Sequence, residues 1–398
     1  MDRNLDSSFR FLPIFMSILM ILGPVTGMIG YSDDFSELSN EENWESPPGI
    51  GSTNASIQNL TWLNGSHAYD NLYVGCSNTT ASCGGIVAIG DLILTVNTLT
   101  VDRGAFIDVF NVQSSQGAGS STYLSNSWRG SGAGGAGHFA IGGSGGGSSS
   151  NGGSSYGVGN ESGSIGGDVI DSNNNLVSSG GVGGGRIIIY ANSINISGGV
   201  TVHGNSGEQG YRYNNGSGNG GPGAGGGSGG TIIMRANQIT IGPHGNGFNG
   251  SIMADGGDGG NGADGDCLPG SACLMMYDGG SGGGGGSGGI IDIRANSASN
   301  LSISSTASIS ATGGLGGAGG LPYGTGSSGT SGSSGGAGNT TTGVWSGWSS
   351  GSGGGSGPAS SSTPDAYEPN DSQSNATWGN ASISTSTGLN STSWSGLT

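Results

Sequence analysis

Three copies of one short phrase constrain how this chain can fold. Each copy is a glycine pair, an apolar run of β-forming residues and an Ala-Asn pair: GGRIIIYAN (Gly184–Asn192), GGTIIMRAN (Gly229–Asn237) and GGIIDIRAN (Gly288–Asn296). Further short apolar runs and a long Gly-rich stretch follow each copy. A repeat of this size indicates stacked supersecondary units rather than one globular core.

Each unit contains three short apolar runs, which is the number of strands in one coil of a three-sided β-helix. The predicted strands are Arg186–Tyr190, Ser193–Ile196 and Val200–His203, then Thr231–Arg235, Gln238–Ile241 and Ser251–Ala254, then Ile290–Arg294, Leu301–Ile303 and Ser308–Ala311. Strands of successive coils would satisfy each other's backbone groups. The sequence therefore predicts an all-β, right-handed parallel β-helix-like solenoid, with long Gly-rich loops leaving at one corner. The alternative is an antiparallel β-sandwich with Gly-rich hairpin loops.

The repeat also places polar residues in register. Asn192, Asn237 and Asn296 would meet at one corner and form a side-chain ladder, unless asparagine serves there only to tolerate a turn. Arg235 and Arg294 align with Tyr190. This Arg/Arg/Tyr stripe either binds glycan or is an ordinary solvated strand face.

Composition excludes several classes of protein. Glycine accounts for 93 of 398 residues, a share typical of low-complexity chains, but the recurring apolar phrases argue against disorder in the middle of the protein. No G-X-Y period runs through the chain, which excludes collagen. The net charge of −17 and the lack of a basic patch predict no nucleic-acid partner, and contact with a membrane only through the N-terminal segment.

The N-terminus and the cysteines indicate export. Residues 1–30 have the order of a secretory signal peptide, with two arginines, an apolar run and small residues, and an uncleaved anchor is the alternative. The cysteines form two local pairs, Cys76/Cys83 and Cys267/Cys273, which are read as disulfide clasps of an extracellular protein.

The expected organisation follows the composition along the chain. Its predicted parts are a signal or anchor (1–30), an acidic linker (31–53), a cap and first β coil (54–110), a Gly/Ser-rich loop region (111–183), the β-helical Gly-rich repeats (184–320), a Gly/Ser linker (321–364) and a C-terminal segment (365–398).

Two stretches resemble known families. Phrases such as GGGSGGTIIMRA (Gly225–Ala236) and GSIMADGGDGG (Gly250–Gly260) are similar to those of exported Gly-rich repeat proteins of microbes. The resemblance implies a β-helical, adhesin-like surface protein and brings no catalytic residues. DAYEPNDSQSNAT (Asp365–Thr377) resembles the opening of a bacterial pre-peptidase C-terminal domain, a small β-sandwich of secreted proteins. Only its first part is present, so the sequence predicts a fragment or a degenerate domain.

Calcium is the one cofactor that the sequence suggests. DGGDGGNGADGD (Asp255–Asp266) is similar in part to calcium-binding nonapeptide repeats. A solvated polar loop is the favoured alternative. The oxygen-bearing candidates are Asp255, Asp258, Asp264 and Asp266 in this run, and Asp365, Glu368 and Asp371 near the C-terminus.

No catalytic constellation is recognisable. His67, His138, His203 and His244 lie far apart along the chain without nearby acidic partners. The sequence therefore predicts a secreted or cell-surface, non-enzymatic structural or adhesive protein that contacts glycans or envelope components through many weak sites. The alternative is the non-catalytic part of a larger secreted hydrolase or peptidase.

Overall fold

The computed structural model describes residues 53–76, 83–112, 116–124, 130–147, 150–212, 218–242, 249–266 and 276–345. These residues are all-β apart from one short 3-10 turn, Ala298–Asn300. The strands, in chain order, are β1 Ala55–Ile57, β2 Leu60–Trp62, β3 Gly65–Val74, β4 Gly85–Ile89, β5 Asp91–Val101, β6 Phe106–Asn111, β7 Thr122–Tyr123, β8 Val169–Ile170, β9 Leu176–Ser178, β10 Gly183–Gly184, β11 Arg186–Ile196, β12 Gly199–Thr201, β13 Thr231–Ile241, β14 Ser251–Met253, β15 Ile290–Ala295, β16 Leu301–Ile303, β17 Ser308–Ser310 and β18 Asn339–Val344.

Two large parallel sheets are built by successive passes of the chain. The first has the order β1-β3-β5-β11-β13-β15-β18, with β16 also beside β13. The second has the order β17-β14-β12-β6-β4-β2, with β10 antiparallel to β6. A small third sheet contains β7, β8 and β9. Because the long strands pair in parallel, the antiparallel sandwich that the sequence left open is not the arrangement of this protein.

The sequence predicted three strands in each repeat unit, but in each of the first two repeats the predicted runs form only two strands. The runs expected as separate strands, 186–190 and 193–196, form the single strand β11, and the corresponding runs of the next repeat form β13. The Ala-Asn pair lies within these strands and does not end them. In the third repeat the 3-10 turn does separate β15 from β16.

The apolar core lies between the two sheets and is stacked coil upon coil. Leu94, Ile189, Met234 and Ile293 occupy one register row of the first sheet and are fully buried. Ile107, Val200 and Ile252 form the matching row of the second sheet. Alternation along each strand places these residues inward and their polar neighbours outward. The repeated apolar run is therefore the core-forming part of the phrase.

The Gly-rich segments are regular where the sequence predicts loops. In residues 219–230, every third backbone N–H donates to the same neighbouring segment. One row, Gly220, Gly223, Gly226 and Gly229, donates to the carbonyls of Asp278, Ser281, Gly284 and Ser287. A second row, Gly221, Ala224, Gly227 and Gly230, donates to Tyr211, Glu208, Asn205 and Val202, and a third includes Gly225 to Gly167 and Ser228 to Ser164.

This period of three identifies the helix type. A polyproline II helix has three residues per turn and no internal hydrogen bonds, so its N–H groups point outward in three directions. Segments with this pattern run through 117–121, 131–138, 142–147, 150–154, 161–168, 179–185, 202–210, 219–230, 254–266, 278–289, 311–321 and 326–338. We call this assembly the polyglycine bundle. From residue 202 onward, its segments leave after a strand of the second sheet and return before the next strand of the first.

Glycine is required in the bundle because neighbouring backbones touch. A Cβ added to Gly283 would lie 1.9 Å from the carbonyl oxygen of Ala224, and one on Gly226 would lie 2.0 Å from that of Gly257. Such separations are shorter than any non-bonded contact, so no side chain fits unless the backbone moves. The glycine pair that opens each repeat phrase belongs to the bundle, and the phrase marks its junction with the first sheet.

Aspartate side chains complete the hydrogen bonding at one edge of the bundle. In segment 254–266, every third residue carries a polar side chain, and glycine or another small residue fills most of the positions between. The Oδ1 atoms of this row, Asp255, Asp258, Asn261 and Asp264, accept the backbone N–H groups of Thr312, Leu315, Ala318 and Leu321 at 2.6–2.8 Å. The side chains thus act as a further neighbouring strand for the outer segment 311–321.

Replacing Gly283 by alanine is expected to destabilise the protein by about 3 kcal/mol, because the new methyl group must displace the backbone of the facing segment. Thermal and urea unfolding followed by circular dichroism measure the change. Gly199→Ala is the matched control: its Cβ would meet only Phe106 at 3.8 Å, so stability should change by less than about 1 kcal/mol. Equal effects of the two substitutions would contradict close backbone packing in the bundle.

Candidate functional site

One register row crosses the outer face of the first sheet. It contains Thr95, Tyr190, Arg235, Arg294 and Gly343, each on the next strand of the stack. The sequence predicted the middle three as an Arg/Arg/Tyr stripe, and the strand register places them side by side. Adjacent strands lie about 4.8 Å apart, so Tyr190 and Arg294 are about 10 Å from each other.

The two arginines share one carboxylate. Asp292 precedes Arg294 by two residues on β15, so alternation places both side chains on the same face. Its Oδ2 accepts from Arg235 Nη2 at 2.5 Å, and its Oδ1 accepts from Arg294 Nε at 2.9 Å. Arg235 Nη1 also donates to the backbone carbonyls of Met234 and Asp292. We call Arg235, Asp292 and Arg294 the arginine cluster.

The solvent exposure of the side chains increases across the arginine cluster. The side chains of Arg235, Asp292 and Arg294 are 6 %, 17 % and 32 % exposed, respectively. Arg235 is thus enclosed and has several partners, whereas Arg294 lies at the surface and uses only Nε. Within the part of the chain that the structure describes, the terminal nitrogens of Arg294 make no hydrogen bond to the protein.

The charge of the cluster is opposite to that of the protein. Two guanidinium groups face one carboxylate, which leaves a local charge of about +1, while the whole chain carries −17. Elsewhere in the described residues, Arg186 pairs with Asp91, and Arg212 pairs with Asp266. The arginine cluster therefore holds the guanidinium group of Arg294 in place while its terminal N–H donors make no hydrogen bond within the described residues.

Space lies beside this guanidinium group. On the neighbouring strand β18, the register partner of Arg294 is Gly343, and a Cβ at that position would have nothing within 4 Å. Thr341, the register partner of Asp292, is next to it on the same face. We call this open position at Gly343, which lies beside Arg294 in the register and two residues from Thr341, the notch.

The predicted calcium residues of 255–266 have hydrogen-bond or ion-pair partners within the protein. Asp255, Asp258 and Asp264 extend along one helix edge, where each accepts a backbone N–H, and Asp266 pairs with Arg212. Three residues of a polyproline II helix span about 9 Å, too far for successive side chains to share an ion. No group of three His, Cys, Asp or Glu side chains suited to a metal occurs in the described ranges. Asp365, Glu368 and Asp371 lie outside those ranges.

The asparagine ladder extends toward the N-terminus. Asn237 Nδ2 donates to Asn192 Oδ1, Asn192 Nδ2 donates to Asn97 Oδ1 at 3.0 Å, and Asn97 Nδ2 donates to Asp70 Oδ1 at 3.1 Å. Asn296 follows the end of β15, and its backbone N–H donates to Ala236. Sequence reasoning missed Asn97 and Asp70, although Asn97 follows an apolar strand residue as Asn192 does.

The remaining residues singled out in the sequence are the cysteines and the histidines. Cys76 and Cys83 form a disulfide, while Cys267 and Cys273 lie outside the described residues. His67 Nε2 donates a hydrogen bond to the backbone carbonyl of Asn64 at 2.8 Å, and His203 lies 3.9 Å from Asp108. His244 is also outside the described residues. His138 is fully buried in the bundle, 5.2 Å from the Tyr156 ring, and neither ring nitrogen has a hydrogen-bond partner.

The comparisons with known proteins add no assignment: no family, curated protein or solved structure matches the chain. The family resemblances seen in the sequence therefore stay predictions. Over the described ranges, the structure contains no helix with the length and apolar character that crossing a membrane would need.

Asp258→Ala should destabilise the protein by about 1–2 kcal/mol, because the Leu315 N–H loses its acceptor. Asp258→Asn should change stability by less than about 0.5 kcal/mol, since Asn261 already accepts in this way through an amide oxygen. Urea unfolding with and without calcium measures both. A calcium-dependent rise in the free energy of unfolding that Asp258→Asn abolishes would contradict a purely hydrogen-bonding role for Asp258.

Acid should destabilise the bundle through His138. Burial lowers the pKa of His138 to about 4, against the opposing effect of the nearby Glu161. The unfolded chain has a histidine pKa of about 6.5, so it binds the extra proton first as the pH falls. Stability from this group is complete above pH 6.5 and is lost between pH 6.5 and 4, by about 3 kcal/mol.

Urea unfolding at several pH values tests this expectation. His138→Phe should remove the His138 part of the acid slope, and the control His67→Gln, at a partly exposed histidine outside the bundle, should leave it in place. An unchanged slope in His138→Phe would show that other groups account for the acid sensitivity.

Proposed function

We propose that this chain is a secreted or cell-surface, non-enzymatic structural and adhesive protein that contacts glycans or envelope components at several weak sites. In this proposal, the stacked sheets are a right-handed parallel β-helix that holds the polyglycine bundle along one side. The observation that carries the proposal is the outer-face row, where the strand register aligns an aromatic ring and polar donors at one position of successive coils.

The row has the chemistry that sugars require. Sugar rings stack on aromatic side chains and accept hydrogen bonds from planar donors, and Tyr190 and Arg294 offer the two kinds of contact. A parallel stack repeats positions at a fixed spacing, so several weak contacts can act on one long polymer. The acidic, lysine-free composition and the Cys76–Cys83 disulfide support an oxidising compartment outside the cell.

The test is binding to immobilised polysaccharides, neutral and acidic, from cell envelopes. The full chain is presented either as free protein or coupled densely to beads. Beads should bind at least about 100-fold more tightly than free protein, because weak contacts add through effective concentration. Beads carrying heat-unfolded chain are the control. Failure of the folded beads to bind any polysaccharide would overturn the proposal.

A further inference from the structure

We propose that the notch beside Arg294 binds the carboxylate or sulfate group of an acidic polysaccharide. This inference rests on the proposed function and names its ligand class. Its starting point is the unequal use of the two arginines in the cluster. Arg235 is almost fully buried and paired, whereas the partly exposed Arg294 gives Asp292 only its Nε, and its Nη1 and Nη2 make no hydrogen bond within the described residues.

The position of Arg294 is fixed before any ligand arrives. Its Nε–Asp292 bond of 2.9 Å ties the guanidinium to the strand, and Asp292 is in turn held by Arg235. A guanidinium binds carboxylate and sulfate groups through two parallel N–H···O bonds. Holding that fork in place lowers the entropy that must be lost on binding. The ion pair therefore acts as a support for the exposed fork.

The surroundings leave room for an anion and its sugar. Gly343 presents no side chain beside Arg294, and the space there is open. Thr341 adds a hydroxyl on the same face, and Tyr190 lies two strands away in the same row. A linked chain of sugars could place its acidic group at Arg294 and a neighbouring ring against Tyr190.

The acidic character of the protein favours selectivity at this site. With a net charge of −17, the surface repels polyanions in general. At 0.15 M salt the Debye length is about 8 Å, so short-range contacts at the notch dominate over that repulsion. A polyanion that binds under these conditions therefore reports a local site. Neutral polysaccharide of the same backbone lacks the contact and should bind more weakly.

The experiment measures binding of the full chain to polygalacturonate, dextran sulfate and neutral dextran at 0.15 M salt. We expect at least one charged polymer to bind about 10-fold or more tightly than dextran, and the two charged polymers separate carboxylate from sulfate. Arg294→Gln should abolish this preference. Arg103→Gln, which removes the same charge from an exposed turn, should retain it. Equal loss in both variants would indicate a general charge effect and overturn the proposal.

A second variant tests the proposal independently, in case Arg294→Gln does not fold. Gly343→Thr fills the notch without changing charge, and open space at that position means that it should fold normally. It should lower binding of the charged polymer about 10-fold while the Tm stays within a few degrees of the parent. Unchanged binding of the charged polymer by a folded Gly343→Thr variant would overturn the assignment of the notch as the binding site. Binding of neutral polysaccharides alone would overturn this inference and leave the adhesive function standing.

Discussion

The polyglycine bundle depends on hydrogen bonds between backbones that approach without side chains between them. Each N–H of an interior segment such as 220–230 finds a carbonyl on one of three neighbours, and a Cβ at a glycine such as Gly226 would prevent the approach. The glycine content that suggests disorder by composition is therefore a packing requirement. The bundle and the sheets satisfy their polar groups in the same way, since both use bonds between segments and not within them.

The two parts of the molecule meet at the repeat phrase. Its glycine pair ends a bundle segment, its apolar run enters the first sheet, and its Ala-Asn pair places a small residue in the core and an amide on the surface. One short sequence thus sets the boundary between two kinds of packing. The length that varies between phrases is shared by the connection from β13 to β14 and by the bundle segments, so coils can keep their register while these connections differ in length.

The sequence allowed prediction of β-strands that stack in parallel, but not of the continuous strands β11 and β13 or of the bundle. Period-two alternation and the repeated phrase were enough to predict parallel coils around Leu94, Ile189 and Met234. Gly-rich stretches carry no hydrophobic period, so loops were the natural expectation. A local signal was present in the G-G-x triplets of 256–261 and 313–321, whose third residue faces outward. The arginine stripe followed from register, whereas the role of Asp292 as its shared partner needed coordinates.

A bundle held mainly by backbone hydrogen bonds should also respond to temperature differently from the sheets. Apolar burial has a large heat-capacity signature and weakens on cooling, and it is concentrated between the two sheets. Polyglycine segments bury peptide groups, whose hydration contributes to the heat capacity with the opposite sign. The apolar core between the sheets therefore contributes most to stability at moderate temperature, whereas the contribution of the polyglycine bundle does not fall on cooling in the same way. Such a pairing flattens the dependence of stability on temperature.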